Sequence, residues 1–329
     1  MKKIVMILTT LLLSISLWGC SAEPKGAKVT EIKIEQITPD KAAGITVGWT
    51  VYAMDNTFFQ RMDGAVRDKA VKDGITLLAH NQNYNPQDMV NACKSMIAQD
   101  IDALVISPCS PEKMPEIIEA AHEKDIPVVI VDIGDGGGDK DAIIVSDGYE
   151  GGKEVGNYAV NLLKEKGISG KKLGIVKCEE SAVYANQRGE GFKEVTEAAG
   201  YEIPIEERGD SKEDLGYEAA KKMLKEEPDL AAIFAENDMM ALGAVKAAKE
   251  AGSDALIFGY DGNDAAVNAI VDKKMHGTMK QDAEAMGEKG LETAEQILRG
   301  ESITYDNPET KEIFVDGYLI GEDSYRADK

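Results

Sequence analysis

Polar side chains follow short apolar runs at several points along the chain, where they could bind a ligand. Asp132 directly follows the very apolar run 126–131, and Asp261 ends another apolar run in the same way. Four further polar residues stand at comparable strand or helix ends: Asn56, Arg188, Asn237 and Gln281. In an open α/β sheet, side chains at the carboxyl ends of strands face the crevice where ligands bind. The pattern therefore indicates a ligand site built from carboxylate, amide and guanidinium groups.

These groups suit a ligand that carries several hydroxyls. Planar carboxylate, amide and guanidinium groups can each bond two neighbouring hydroxyls, and an aromatic face packs against the C–H side of a sugar ring. Phe58 and Phe59 supply rings where the first predicted helix begins. Because adjacent helical residues point about 100° apart, we expect one ring to enter the core and the other to line the site. Each buried polar group that a wrong sugar leaves unpaired costs roughly 1–3 kcal/mol, so discrimination between sugars should be strong.

The stretch 233–252 shows how strand, turn and helix place such a group. An apolar run predicts a strand, and alanines at helical spacing then predict a helix that ends at Gly252. Asn237 and Asp238 lie between the two, where either could simply cap the helix. Because other strand ends carry comparable groups, we predict that Asn237 binds the ligand and that Asp238 is the cap.

The rest of the chain alternates predicted strands with predicted helices. Strands are predicted at 46–51, 75–79, 103–106, 127–131, 143–145, 173–176, 203–206, 230–235, 256–260 and 277–279. Helices are predicted at 59–72, 87–98 and 112–124, and further helices fill the later intervals. This alternation predicts an α/β fold with parallel sheets and right-handed crossovers. About ten strands suit two Rossmann-like lobes better than one, since single cores stop growing at roughly this chain length, and a cleft between two lobes is a natural ligand site.

The N-terminal residues differ from this body. Lys2 and Lys3 precede the apolar run 4–17, which meets Leu17-Trp18-Gly19-Cys20. So short a run, ending at small residues, predicts a signal peptide over 1–19 and not a membrane-spanning helix. Its end resembles a bacterial lipobox, which would make Cys20 the lipidated first residue of the mature chain; an ordinary exported protein with an incidental Cys20 is the alternative. Residues 20–43 are predicted to be a tether, although alternation at 32–37 could add a strand.

Net charge and cysteine usage exclude several kinds of partner. The formal net charge is −22, and it becomes −24 when Lys2 and Lys3 leave with the signal peptide, so the surface repels nucleic acid. Hydrophobic residues make up 43% and aromatic residues 6%, which is ordinary for a soluble α/β protein. Apart from the lipobox cysteine, Cys93, Cys109 and Cys178 have no CxxC spacing. They imply neither a disulfide framework nor a metal site, and Cys93 and Cys178 are expected to be buried thiols.

At these residues the chain resembles the type I periplasmic sugar-binding proteins, the ribose- and galactose-binding family of ABC importer receptors. The resemblance runs from about Ile45 to near the C-terminus. It rests on Asp55-Asn56-Thr57-Phe58-Phe59, Ile126-Pro127-Val128 through Asp132, Gln187-Arg188-Gly189-Glu190-Gly191-Phe192, Asn237-Asp238-Met239-Met240-Ala241-Leu242-Gly243-Ala244, Gly259-Tyr260-Asp261-Gly262 and the segment leading to Gln281. By matching position, the resemblance implies ligand contacts from Asn56, Phe58, Phe59, Asp132, Arg188, Asn237, Asp261 and Gln281, and Tyr52 matches the galactose-like branch.

The resemblance also implies an architecture and a function. Three hinge strands near Ser146, Gln281 and 306–310 would join an N-terminal lobe of 44–146 plus 282–310 to a C-terminal lobe of 147–281 plus 311–329. The protein would be a monomeric solute-binding lipoprotein outside the cytoplasmic membrane, with no cofactor and no metal. It would close around a monosaccharide or polyol and deliver it to the membrane permease of an ABC importer.

Two departures from the ribose-binding pattern bear on which sugar is bound. Ribose binders carry Arg just after the strand-end Asp, where this chain has Ile133. They carry an aromatic residue before the helix that begins near Leu215, where this chain has about Ser211. The loss of one bidentate donor and one stacking ring argues against ribose, because a guanidinium contact outweighs several neutral ones. We therefore expect a monosaccharide or polyol without naming it.

Other functions fit the sequence less well. The three histidines, His80, His122 and His276, come without HExxH, GxSxG or CxxC motifs, which argues against an enzyme. The glycine-rich segments 134–139 and 148–153 match neither dinucleotide-binding nor phosphate-loop patterns, the first does not match a calcium loop, and both are predicted to be loops. A repressor of the lactose type would need a basic helix-turn-helix where this chain has a signal sequence. A receptor for a sugar-like autoinducer or chemotactic signal, using the same cleft, stays open.

Overall fold

The computed structural model describes residues 32–325, which form two compact units. The first unit comprises the described chain up to Val131 together with Asp135–Ile143 and Gly287–Lys311. The second comprises Asp132–Gly134, Ile144–Met286 and the described chain from Glu312 onward. The predicted signal peptide and Cys20 lie outside the described residues. Within residues 32–325, no helix is both long enough and apolar enough to cross a membrane.

Strands and helices alternate along the described residues. The strands are β1 (Glu35–Ile37), β2 (Thr46–Val51), β3 (Thr76–Asn81), β4 (Ala103–Ile106), β5 (Val128–Val131), β6 (Ala142–Val145), β7 (Lys172–Lys177), β8 (Glu202–Arg208), β9 (Ala232–Ala235), β10 (Leu256–Asp261), β11 (Gly277–Lys280), β12 (Glu312–Phe314) and β13 (Tyr318–Gly321). The helices are α1 (Thr57–Asp73), α2 (Pro86–Ala98), α3 (Met114–His122), α4 (Gly148–Glu165), α5 (Val183–Ala198), α6 (Glu213–Glu226), α7 (Asp238–Ala251), α8 (Asp264–Val271) and α9 (Ala283–Leu298). The predicted α/β class, with two sheets of largely parallel strands, is confirmed.

The first sheet has the strand order β1-β3-β2-β4-β5-β6-β12. Strands β3, β2, β4 and β5 pair in parallel, and β4 and β5 are buried along their whole length, as parallel strands covered on both faces by helices must be. Strand β1 pairs antiparallel with β3 at the sheet edge. Residues 35–37 are therefore an edge strand and not part of the predicted tether, because the alternation at 32–37 lets Ile37 enter the core.

A buried polar contact fixes α1 against this sheet. Trp49 of β2 is fully buried, and its indole Nε1 donates a hydrogen bond to Asp63 Oδ1 of α1 at 2.8 Å. Arg67, one turn further along, donates from Nε to the other oxygen of Asp63 at 2.6 Å. A buried donor left without a partner costs roughly 1–3 kcal/mol, so these bonds hold α1 in one position. The start of α1 carries Phe58 and Phe59, which are positioned with it.

The second sheet has the order β13-β11-β10-β9-β7-β8. Strands β11, β10, β9, β7 and β8 pair in parallel, and β13 joins β11 antiparallel at the edge. Parallel strands end at the same edge of a sheet. This edge therefore carries Asn237 after β9, Asp261 at the end of β10 and Gln281 after β11.

The segment 148–153 was predicted to be a loop, and this prediction is wrong. The segment forms the first turns of α4. Gly148, Gly152 and Gly156 recur every four residues, and a Cβ on Gly152 would collide with the backbone carbonyl of Arg188 on α5. Glycine inside a helix costs roughly 0.5–1 kcal/mol relative to alanine, and here its missing side chain lets α5 lie directly against α4. The backbone of Arg188 is held by this contact. The other glycine-rich segment, 134–139, is a loop as predicted.

The three described cysteines are free thiols, as expected for Cys93 and Cys178, which are buried. Cys109 is partly buried, and burial raises the pKa of its thiol to about 12. Since the thiolate is the reactive form, this shift disfavours reaction of Cys109 at neutral pH. In the described part of the chain, no cluster of His, Cys, Asp and Glu side chains could hold a metal ion.

Candidate functional site

Aromatic rings meet in the first unit where β2 leads into α1. Tyr52 and Phe59 stack, with ring centroids 4.9 Å apart and planes 7° from parallel. Phe58 meets Phe59 edge to face at 5.2 Å. Both phenylalanine rings are buried. The 100° angle between adjacent helical residues therefore does not separate a core ring from an exposed ring here. Stacked and edge-to-face rings stabilise one another, which gives this group a fixed arrangement.

Asn56 lies directly before these rings and is the N-cap of α1. Its side-chain oxygen accepts a hydrogen bond from the backbone N–H of Phe58 at 2.9 Å. The cap satisfies one of the unpaired donors at the helix start. A ligand contact from Asn56 would therefore use its amide nitrogen or the second lone pair of its oxygen.

Asp261 is the centre of a hydrogen-bonded group in the second unit. Its Oδ1 accepts from Arg188 Nη1 at 2.9 Å and from Gln281 Nε2 at 2.8 Å. Arg188 Nη1 also donates to the backbone carbonyl of Glu236 at 2.8 Å. Three predicted ligand residues, which are far apart in the sequence, are thus joined through one carboxylate oxygen.

Arg188 is buried, with 7% of its surface exposed, and its guanidinium lies 4.0 Å from the ring centroid of Tyr260. It stands in the second turn of α5, which begins at Val183. Its Nε has no hydrogen-bond partner among the described residues. That N–H is a buried donor that a ligand hydroxyl could satisfy.

Asp132 adds a second carboxylate to the charges around Arg188. It directly follows β5, and its φ of 72° lies in a region that residues other than glycine seldom adopt. Burial raises the pKa of Asp132 to about 7, with Arg188 opposing the rise and Asp261 adding to it. Burial also raises the pKa of Asp261, again against the effect of Arg188. Desolvated carboxylates are strong acceptors for hydroxyl groups.

The structure assigns the capping role at the start of α7 to Asn237 and not to Asp238. Asn237 is the N-cap of α7, and its Oδ1 accepts from the backbone N–H of Met240 at 3.0 Å. Asp238 is the first residue of the helix, so the prediction that Asp238 is the cap is wrong. Asn237 is buried at the same time, and any ligand contact from it would be made by the remaining groups of its amide.

Asp238, which follows β9, instead forms hydrogen bonds to the residues after β10 and to β11. Its Oδ2 accepts from the backbone N–H of Asn263 at 2.7 Å, and its Oδ1 accepts from the hydroxyl of Thr278 on β11 at 2.7 Å. Burial, together with the charge of Asp261, raises its pKa well above the ordinary value. Asp238 therefore supports the sheet edge at which Asp261 and Gln281 stand.

Two residues beside this group, Tyr260 and Glu236, were not predicted from the sequence. Tyr260 lies under the guanidinium, and Glu236 Oε2 accepts from the backbone N–H of Cys178 at 2.7 Å. The Oε1 of Glu236 has no partner in the described part of the chain. Burial raises the pKa of Glu236 to about 8, so it is largely neutral at pH 7. Both residues adjoin predicted ligand residues in the sequence, which is the signal that could have found them.

The two positions that depart from the ribose-binding pattern have contacts of another kind. Ser211 donates from its hydroxyl to Glu179 Oε2 at 2.6 Å. Ile133 is partly buried directly after Asp132. Neither side chain can provide the bidentate donor or the stacking ring expected for ribose.

Sequence comparison identifies the family to which these two units belong. A profile of the periplasmic binding protein domain matches residues 47–302, which is most of the chain. The chain belongs to the periplasmic binding protein domain family. The resemblance stated from its motifs is therefore confirmed at the level of the family.

Similar proteins occur in several bacteria. The ribose import binding protein RbsB of Bacillus subtilis is 28% identical over 306 residues, which cover 92% of this chain and 95% of that protein. The ribose import binding protein RbsB of Haemophilus influenzae is 30% identical over 269 residues, which cover 81% and 90%. The binding protein of the arabinose ABC transporter from Shewanella sp. ANA-3, solved with α- and β-L-arabinofuranose, has a TM-score of 0.75 at 26% identity and covers 86% of this chain and 94% of that one.

Proposed function

We propose that this protein is the sugar-binding component of an ABC-type importer and that it binds a monosaccharide or polyol. The observation that carries the proposal is the group around Asp261 in the second unit. Asp132 and Asp261 offer desolvated acceptors, Arg188 offers a buried N–H without a partner, and Gln281 offers an amide. Groups of this kind bond hydroxyls, whereas an apolar ligand would leave them desolvated and unpaired.

The relatives support a role in binding and not in catalysis. Those from Bacillus and Haemophilus are named as ribose import binding proteins, and the Shewanella protein was solved with arabinofuranose. We propose that the sugar also contacts aromatic and amide side chains of the first unit, namely Tyr52, Asn56, Phe58 and Phe59. Ribose is the less favoured sugar, because Ile133 cannot replace a guanidinium donor.

A thermal-shift screen of the soluble chain tests this function. The panel consists of D-ribose, L-arabinose, D-galactose, myo-inositol and an autoinducer-type furanose. A sugar present at about 100 times its Kd stabilises a protein by roughly 2.7 kcal/mol, which corresponds to a rise in Tm of several degrees. We expect at least one member of the panel to produce this rise. No rise with any member would contradict the proposal.

We also propose that the protein is exported and held at the outer face of the cytoplasmic membrane by a lipid on Cys20. The support is the sequence of residues 1–20 together with the periplasmic family of the chain. In bacteria fed radiolabelled palmitate, the wild-type protein should carry the label and sediment with membranes. Cys20→Ser should carry no label. A label that persists in Cys20→Ser would count against the anchor.

A further inference from the structure

The loop after β3 carries an exposed aromatic residue that is not among the proposed ligand contacts. Tyr84 is 51% exposed. Asn83 and Tyr84 have φ angles of 49° and 60°, in the left-handed region that residues other than glycine seldom adopt. Two such residues in succession persist only when surrounding contacts hold them there.

The base of this loop is anchored to the sheet by a buried amide. Gln82 is fully buried, and its Nε2 donates to Thr50 Oγ1 at 3.1 Å and to the carbonyl of Ser107 at 2.9 Å. Its Oε1 accepts from the backbone N–H of Cys109 at 2.6 Å. These bonds tie the end of β3 to the ends of β2 and β4. Because Gln82 is held in this way, the backbone two residues before Tyr84 has a defined position.

The side chain of Tyr84 contacts the segment that leads from β2 into α1 at two places. Its ring meets Tyr52 edge to face, with centroids 5.2 Å apart and planes at 88°. Its hydroxyl donates to Asp55 Oδ1 at 2.5 Å. Burial and this hydrogen bond raise the pKa of the Tyr84 hydroxyl, so it remains a protonated donor at neutral pH. Asp55 directly precedes Asn56, and Tyr52 stacks on Phe59.

We propose that Tyr84 is a positioning residue, whose ring and hydroxyl hold segment 52–59 in its binding arrangement before a sugar arrives. A segment that is already ordered loses less conformational freedom on binding, and affinity rises accordingly. The consequence for affinity rests on the proposed sugar-binding function. The order of segment 52–59 in the ligand-free protein does not rest on that function, so the two consequences can be tested separately.

Amide hydrogen exchange of the ligand-free protein tests the positioning itself. Tyr84→Phe keeps the ring and removes the bond to Asp55, so peptides covering 52–62 should exchange at least about threefold faster than in wild type. Tyr217→Phe is the matched control, because the Tyr217 hydroxyl also donates to a carboxylate, that of Glu250, but in the second unit. The control should leave the exchange of 52–62 unchanged. Equal exchange in wild type and Tyr84→Phe would overturn the proposal.

Calorimetric titration with the panel sugar that binds wild type most tightly tests the effect on affinity. Tyr84→Phe and Asp55→Ala should each raise its Kd at least about tenfold, as expected for the loss of one hydrogen bond to a charged group. The double variant should bind no more weakly than the weaker single variant, because both remove the same bond. An unchanged Kd in Tyr84→Phe, or effects that multiply, would overturn the proposal. If no sugar binds wild type, the proposed function fails, and the exchange experiment still decides the role of Tyr84.

Discussion

Asp132 is expected to make the free energy of unfolding depend on pH, and Asp132→Asn is expected to remove this dependence. Burial raises its pKa from 3.8 to about 7, so between these values the folded protein keeps a proton that the unfolded chain has lost. A raised folded-state pKa contributes stability that is fully present below the unfolded pKa and is lost as the pH rises through the folded pKa. Asp132→Asn does not titrate and therefore does not lose this contribution.

The size of the effect follows from the two pKa values. One pH unit between them corresponds to about 1.36 kcal/mol, so the total is at most about 4 kcal/mol. The free energy of unfolding of Asp132→Asn, minus that of wild type, should therefore increase by up to about this amount between roughly pH 4 and pH 7. Glu236 and Asp238 also have raised pKa values through burial, but both are present in the two proteins and largely cancel in the difference.

Urea unfolding followed by far-ultraviolet circular dichroism, at about pH 4, 5, 6 and 7, measures this difference. Asp272→Asn is a suitable control, because Asp272 is an exposed aspartate of the second unit. Its difference from wild type should vary much less over the same pH range. If the difference for Asp132→Asn stays flat, or falls as the pH rises, the reasoning about the buried carboxylate is refuted.

Two further predictions concern helix contact and closure. Gly152→Ala places a Cβ against the carbonyl of Arg188 and should destabilise the protein by about 1–3 kcal/mol in urea unfolding. Gly64→Ala, which meets open space on α1, should instead stabilise it by roughly 0.5–1 kcal/mol; similar effects of the two changes would contradict the close approach of α4 and α5. Closure of the two predicted lobes around a sugar stays a prediction. If it occurs, small-angle X-ray scattering should give a smaller radius of gyration at saturating sugar than without sugar. Unchanged scattering would argue against closure.

Long apolar runs made most of the sheets predictable, because parallel strands buried on both faces are apolar along their whole length. β4 and β5 are examples. β12 and β13 were missed, since they are only three and four residues long. β13 is held by antiparallel pairing with β11, and such pairing depends on tertiary contacts more than on the strand's own residues.

Helix starts were less predictable than strands, because the same residue types serve several purposes there. Asn237 and Asp238 can both cap a helix. Which one does so is decided by Asn263 and Thr278, which lie 25 and 40 residues away from Asp238 in the chain and occupy its carboxylate. Gly148 and Gly152 likewise predicted a loop from the sequence. The structure shows them in a helix, where the absence of a side chain allows α5 to pack closely.

Positions at strand or helix ends selected Arg188, Asp261 and Gln281 from the sequence, and the structure places them in one hydrogen-bonded group. The ring of Tyr260 and the carbonyl of Glu236, which hold the guanidinium, were not selected, although each residue adjoins a predicted ligand residue in the sequence. Their roles depend on how α5 lies against the sheet, and a single sequence does not specify that geometry. Whether these groups hold a sugar stays a prediction.

The most direct test of the proposed function is calorimetric titration of wild type, Asp261→Ala and Asp272→Ala with the same sugar panel. We expect at least one sugar to bind wild type and Asp272→Ala with the same Kd. Asp261→Ala should raise that Kd at least about 100-fold, because a hydrogen bond to a charged group contributes roughly 1.5–3 kcal/mol and more than one would be lost. No binding of any sugar to wild type, or wild-type affinity in a folded Asp261→Ala variant, would contradict the proposed function.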